Sequence, residues 1–150
     1  MLYLLMDAGP DTYALATASV VKIVPYAALK AAPAAPAAIV GILNFQGQPV
    51  PVIDCCLLLT GSPSSLRFST RIALHLVPID GNHRILGLLG ENLTRVESFE
   101  ESDFVEPGAR ASDFPCAGKV AALGSLWIQR LHPESLLTPE LWSSLTSQES

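Results

Sequence analysis

Ile39-Val40-Gly41-Ile42-Leu43-Asn44-Phe45-Gln46-Gly47-Gln48-Pro49-Val50-Pro51-Val52-Ile53-Asp54 is the stretch that decides the fold. Ile39 to Phe45 and Val50 to Ile53 are rich in β-branched residues, which suit a pleated surface and predict two strands. Gln46-Gly47-Gln48 predicts the turn between them, with Gly47 free to take positive φ. Gly41, inside the first run, predicts a close approach of neighbouring backbone. Pro49 and Pro51 have no N–H to give to a ladder, so one flank of the second strand should lack a partner, as at a sheet edge.

The same pattern extends in both directions. Leu2 to Met6 and Thr12 to Ala16 predict a hairpin around the turn formers Asp7-Ala8-Gly9-Pro10-Asp11. Val20 to Val24 is a strand closed by Pro25, and Ala31-Ala32-Pro33-Ala34-Ala35-Pro36 is a loop. Beyond Asp54, Cys55 to Leu59 reads as one helical turn before Gly61, and Ser62 to Ser69 as a polar loop. Arg71 to Ile79 and Arg84 to Leu89 flank Asp80-Gly81-Asn82, a hairpin signal. Val96 to Asp113, with Glu97, Glu100, Glu101, Asp103 and Glu106, reads as an acidic, turn-rich, solvated connection. Lys119 to Leu123 and Leu126 to Leu131 form a last hairpin around Gly124-Ser125. In the tail, Thr138 is an N-cap, Pro139 suits the first helical position, and Leu141, Trp142 and Leu145 lie at helical spacing. Trp142 is expected to anchor that helix to the β structure. The fold class is all-β: about ten short strands and one short C-terminal helix, in a single domain over residues 1–150.

Composition bounds the function. The chain has 150 residues, 49% of them apolar and only 15% charged, with a net charge of −5. That length supports one core, and the low charge content leaves uncharged surface for protein partners. A sequence pI near 5.0 argues against nucleic acid, which needs a dense basic footprint. Ala31 to Ile53 is uncharged and long enough to cross a bilayer, but Pro33, Pro36, Pro49 and Pro51 would leave backbone groups unpaired in lipid. Membrane insertion is therefore not expected. The start, Met1 to Asp7, lacks the basic region of a secretory signal. Cys55, Cys56 and Cys116, an odd number with an adjacent pair, make no disulfide framework and fit a reducing cytoplasm.

No catalytic, metal-binding or cofactor-binding residues are predicted. His75, His83 and His132 form no zinc motif, and His75 lies in an apolar strand where a structural role is expected. Gly118-Lys119 lacks the upstream glycine of a phosphate loop. Two alternatives stay open. One is a small cysteine-dependent hydrolase using Cys55 or Cys56 with a distant histidine. The other is a generic SH3-like module for proline-rich peptides, which needs an exposed aromatic groove.

The quoted stretch closely resembles the signature of CheW-like domains, where a Gly-hydrophobic-Asn-hydrophobic-Arg-Gly strand turns into Val-Pro-Val-hydrophobic-Asp. Other segments follow in the family's order. They are Tyr13-Ala14-Leu15, Val20 to Val24, Pro33-Ala34-Ala35-Pro36, Thr70-Arg71-Ile72, Leu86 to Leu93, and Leu126 to Leu137. The resemblance implies two five-stranded SH3-like β-barrels sharing one hydrophobic core. It also implies a non-enzymatic adaptor in the bacterial cytoplasm, recruited to membrane receptor arrays. Its partners would be the cytoplasmic helical tip of a chemoreceptor and the regulatory domain of a CheA-type histidine kinase, with weak self-association.

Val20, Lys22, Gln46 and Gly47 occupy the positions that face the receptor in the family; Gly41, Gly47 and Pro51 are the expected turn and strand determinants. Ile42 and Phe45 are adjacent apolar candidates for core or contact. Two positions depart from the family. Lys22 stands where the family usually has Glu, and Gln46 where it has Arg, so the usual ion pair cannot form, although Lys and Gln can share a hydrogen bond. Glu91 stands where the family has Asp. These departures point to a dedicated receptor or a chemosensory pathway other than flagellar taxis, the alternative being a degenerate adaptor with weaker receptor coupling.

Overall fold

Tyr3, Leu4, Leu5 and Met6 are four successive side chains, and all four are buried. Side chains alternate across a strand, so a strand buried on both faces lies between two cores. The rest of the molecule is organised around that requirement. A computed structural model describes residues 1–26, 29–31, 35–79, 81–107, 118–141 and 143.

Among the described residues there are nine strands, one short α-helix, and the helical residues 139–141 and 143 of the expected C-terminal helix. The strands are β1 (Leu2–Ala8), β2 (Asp11–Ala16), β3 (Val20–Pro25), β4 (Ile39–Phe45), β5 (Gln48–Asp54), β6 (Arg71–Ile79), β7 (Asn82–Ser98), β8 (Val120–Leu123) and β9 (Leu126–Arg130). Helix α1 (Cys55–Thr60) follows β5. The pairing order is β3-β6-β7-β1-β2-β9-β8, with β5 also joined to β7 and β4 to β5.

Strand β7 has 17 residues and serves twice. Asn82 to Gly90 pairs antiparallel with β6, and Glu91 to Ser98 pairs antiparallel with β1. At the crossing Asn92 takes φ +53°, and the β1–β7 register shifts between Leu5 and Asp7, which marks a bulge. Asn is among the few non-glycine residues that visit this left-handed conformation, and its Nδ2 donates across to Asp7 Oδ2 of β1 at 2.7 Å. One set of five strands is thus β3, β6, β7, β5 and β4; the other is β7, β1, β2, β9 and β8. This mainly β arrangement is consistent with a pair of small five-stranded barrels. The expected ten strands are nine because one is shared.

Three apolar clusters follow from the alternation. Tyr3 and Leu5 join Ala14, Phe99, Phe104, Ala121 and Ile128 within the β1-side set. Val50, Val52, Ile72, Leu74 and Leu89 fill the β3-side set. Leu4 and Met6 face the other way, into the largest cluster, with Tyr13, Leu15, Ile53, Leu86, Leu88 and Leu93. That cluster is the seam between the sets. Each fully buried side chain of this size contributes about 1.5–3 kcal/mol.

Three expectations need correction. The strand expected to stop at Leu89 runs on to Ser98: Gly90 still pairs with Arg71, and the chain passes from β6 to β1 through a bulge between Glu91 and Arg95 instead of a turn. The acidic stretch is not an open connection. Glu97 lies within β7, Glu100 and Asp103 cap a 3-10 turn over Glu101–Asp103 reciprocally, and Phe99 and Phe104 are buried against Tyr3. The β5 edge is only half an edge: β4 runs along the whole strand, while β7 takes Val52 to Asp54 and leaves the Pro49–Pro51 flank without a second partner.

Short-range signals set the ends. Asp54 Oδ1 accepts from the Leu57 N–H at 3.3 Å and caps α1, which Gly61 ends at φ +83°. Thr138 Oγ1 accepts from the Leu141 N–H at 3.2 Å, the cap expected there, and Leu141 is buried in the seam. Pro33, Ala34, Asp80, Cys116, Trp142 and Leu145 lie outside the described residues. Among the described residues, no helix is long and apolar enough to cross a membrane.

Candidate docking surface

The β4–β5 turn is shaped by two left-handed residues. Phe45 pairs with Gln48, leaving Gln46 (φ +52°) and Gly47 (φ +85°) as a two-residue loop. Positive φ at both central positions is the type I′ geometry, whose twist matches that of the flanking strands. Asn44 Oδ1 accepts the Gly47 N–H at 2.9 Å and holds the loop closed. Gly47 has open space where a Cβ would stand, so its requirement is conformational. Gly41 is different: a Cβ there would lie 2.5 Å from Leu29 Cβ and 2.9 Å from Lys30 O. That close approach is what allows Lys30 and Ile42 to exchange backbone hydrogen bonds of 3.0 and 2.8 Å. Pro51 sits opposite Ile42 on β5, with its carbonyl near Gly87.

Lys22, Gln46 and Gly47 are exposed. Val20 is half-buried and packs on the seam cluster, opposite His75. β3 and β4 are the two outer strands of their set, and Val24 of β3 packs on the same apolar cluster as Leu43 and Phe45 of β4. That common core draws the two edges toward one side of the molecule. Among the described residues, no hydrogen bond joins Lys22 to Gln46, so both polar ends remain available to solvent. Ile42 and Phe45 are half-buried.

Cys56 is not an activated nucleophile. Cys55 and Cys56 are buried, and burial pushes the Cys56 thiol up to about 11, with Glu91 adding to the rise and Ser64 opposing it. Cys56 Sγ donates to Glu91 Oε2 at 3.3 Å, and at 3.6 Å to Asp7 O. A thiol of that pKa is ionised in roughly one molecule in ten thousand at pH 7, the reverse of an activated thiolate. Among the described residues, no group of three or more His, Cys, Asp or Glu is placed to hold a metal ion.

Sequence reasoning missed one convergence. His75 of β6, His83 of β7 and His132 line a single cleft together with Glu101, Arg130 and Glu134. His75 is 5% exposed, and its Nδ1 lies 2.7 Å from Leu76 O. A carbonyl only accepts, so Nδ1 carries the proton. Burial holds the His75 pKa below its ordinary value, against the opposing pull of the Leu76 carbonyl and Glu134. Arg130 places its guanidinium 4.7 Å from the Phe104 ring centroid and pairs with Glu101 at 2.8 Å. Separations of 8 and 49 positions hide the histidine cluster from any motif.

Comparison with known proteins bears on this geometry. No curated protein matches the chain. Among solved structures, the fold is similar to that of the scaffolding protein TtCheW from Thermoanaerobacter tengcongensis. The TM-score is 0.77 at 21% identity, covering 93% of this chain and 89% of the other. The model of the CheW-like domain matches residues 2–139, from the first buried strand to the capped terminal turn. The chain therefore belongs to the CheW-like domain family.

Proposed function

We propose that this protein is a non-enzymatic adaptor. It couples the cytoplasmic helical tip of a chemoreceptor to the regulatory domain of a CheA-type histidine kinase, in a cytoplasmic array beneath a bacterial membrane. The observation that carries the reading is the family match over residues 2–139. Two features support it. The positions matching the family's receptor face, Lys22, Gln46 and Gly47, are exposed, and Val20 lies half-buried beside them. The buried Cys56 thiol, held protonated, argues against a cysteine nucleophile there. Lys22 and Gln46, in place of an acid and an arginine, favour a dedicated receptor or a chemosensory pathway other than flagellar taxis. The two strand sets share β7 and one seam, which supports a single domain.

The test is a binding assay with the receptor fragment and kinase regulatory domain encoded beside this protein. Both should bind, and Gly47→Val, which cannot hold the turn, should weaken the receptor complex. Binding to neither overturns the reading.

A further inference from the structure

Leu66 and Phe68 lie in the segment 62–70, which composition marks as a polar loop. It is not a slack one. The Ser64 N–H and Oγ both donate to the Asp54 carboxylate, at 2.9 and 2.6 Å, and the Ser65 N–H donates to Glu91 Oε2 at 3.2 Å. Thr70, 1% exposed, donates its hydroxyl to Ser65 O and accepts from the Arg67 N–H at 3.2 Å. The Leu93 N–H closes the far end on Ser69 O at 3.0 Å. The loop is tied at both ends and across its base, yet it presents Phe68 at 103% exposure and Leu66 at 60%. With Pro25 and Tyr26, 40% exposed, they border a groove of about 360 Å³ that also includes Arg67 and Thr70. Solvent gives no reason to hold a phenylalanine fully outside, and clustered exposed apolar side chains mark a contact site.

Charge indicates the occupant. Residues 17–90, which carry the β3-side strand set, hold five Lys and Arg against two Asp. The other 76 residues hold four against twelve Asp and Glu. Among the described residues Arg67 is the one charged residue that lines the groove, and Arg71 stands opposite Pro25 in the β3–β6 register. The Asp54 and Glu91 carboxylates at the loop's base are engaged by Ser64 and Ser65. We propose that the Tyr26–Leu66–Phe68 groove docks an acidic polypeptide segment that inserts an aliphatic or aromatic side chain beside Phe68 and sets its carboxylates on Arg67. The fixed loop means that little ordering entropy is lost on binding. Neither Gln46 nor Gly47 lines this groove, and the proposal does not depend on the identity of the receptor.

The probe is a synthetic amphipathic peptide with leucines on one face and glutamates on the other, titrated into the full-length protein. Amide NMR shifts should localise to Tyr26 and 66–71, and affinity should fall with added salt. Phe68→Ser and Arg67→Glu, both at surface positions, should melt like the parent and bind about tenfold or more weakly, the effect of losing a central anchor. Equal binding of the lysine-for-glutamate peptide, or undiminished binding by both variants, overturns the proposal. So does a concentration-dependent dimer that Phe68→Ser abolishes, which would assign the groove to a second copy. Loss of receptor and kinase binding by the parent protein, with peptide binding intact, would refute the adaptor function and leave this site standing.

Discussion

Replacing Gly41 by Ala adds one methyl group where the structure has no room for it. The new Cβ would meet Leu29 Cβ at 2.5 Å and Lys30 O at 2.9 Å, both closer than real Cβ atoms come. Neither neighbour is the free end of a long side chain, so the segment through Leu29 and Lys30 must move off β4. Overpacking of this kind costs about 1–3 kcal/mol. Displacing the segment also weakens the two Lys30–Ile42 hydrogen bonds, each contributing about 0.5–1.5 kcal/mol net. A loss of about 2–4 kcal/mol is expected, which for a chain of this length lowers Tm by about 5–15 °C. Gly47→Ala is the control: its Cβ meets nothing, and only the left-handed backbone resists it, at about 1–2 kcal/mol. Urea unfolding followed by tryptophan fluorescence measures both. If Gly41→Ala proves no less stable than Gly47→Ala, close approach is not what glycine supplies at position 41.

Two further outcomes follow from the buried titrating groups. Cys56, with its thiol raised to about 11, should react with iodoacetamide at neutral pH far more slowly than a free peptide cysteine; a rate equal to or above that reference would revive a nucleophilic role. His75 titrates lower in the folded protein than in the unfolded chain, so between those two values the unfolded state holds the extra proton. Stability should fall as pH drops below about 6.5, and continue to fall until the folded-state pKa is passed. The groups facing it across the cleft, Glu134 above all, moderate that loss. His75→Gln should flatten this limb of the pH–stability curve; an unchanged slope would assign it to other groups.

The hairpins were legible in the sequence because their signals are local. Ile39 to Phe45 and Arg71 to Ile79 coincide with β4 and β6, and Gly47 and Gly81 take the positive φ their turns require. The second half of β7 was hidden because it alternates weakly: Leu93 is buried while Thr94, Arg95 and Val96 are exposed. Such a run reads as a loop until β1 is known to lie beside it. The β4–β5 turn was legible through its motif, since a turn of this type depends on residues next to one another in sequence. The histidine cleft and the Phe68 groove were not. Each is assembled by tertiary packing from segments tens of residues apart, and no short-range pattern carries that information.

The shared strand also fixes an order of events on the ribosome. The β3-side set uses residues 20–90, so all of its pairings can form once the first half of β7 has emerged. The β1–β2 hairpin is made first, yet β2 must wait for its parallel neighbour, since Thr12 to Ala14 pairs with Ile128 to Arg130. Nascent chains paused between those points should therefore carry a finished half beside an N-terminal ribbon that is greasy on both sides and still unclaimed. An arrest-peptide force profile with its first peak only after residue 130 would contradict this sequence of assembly.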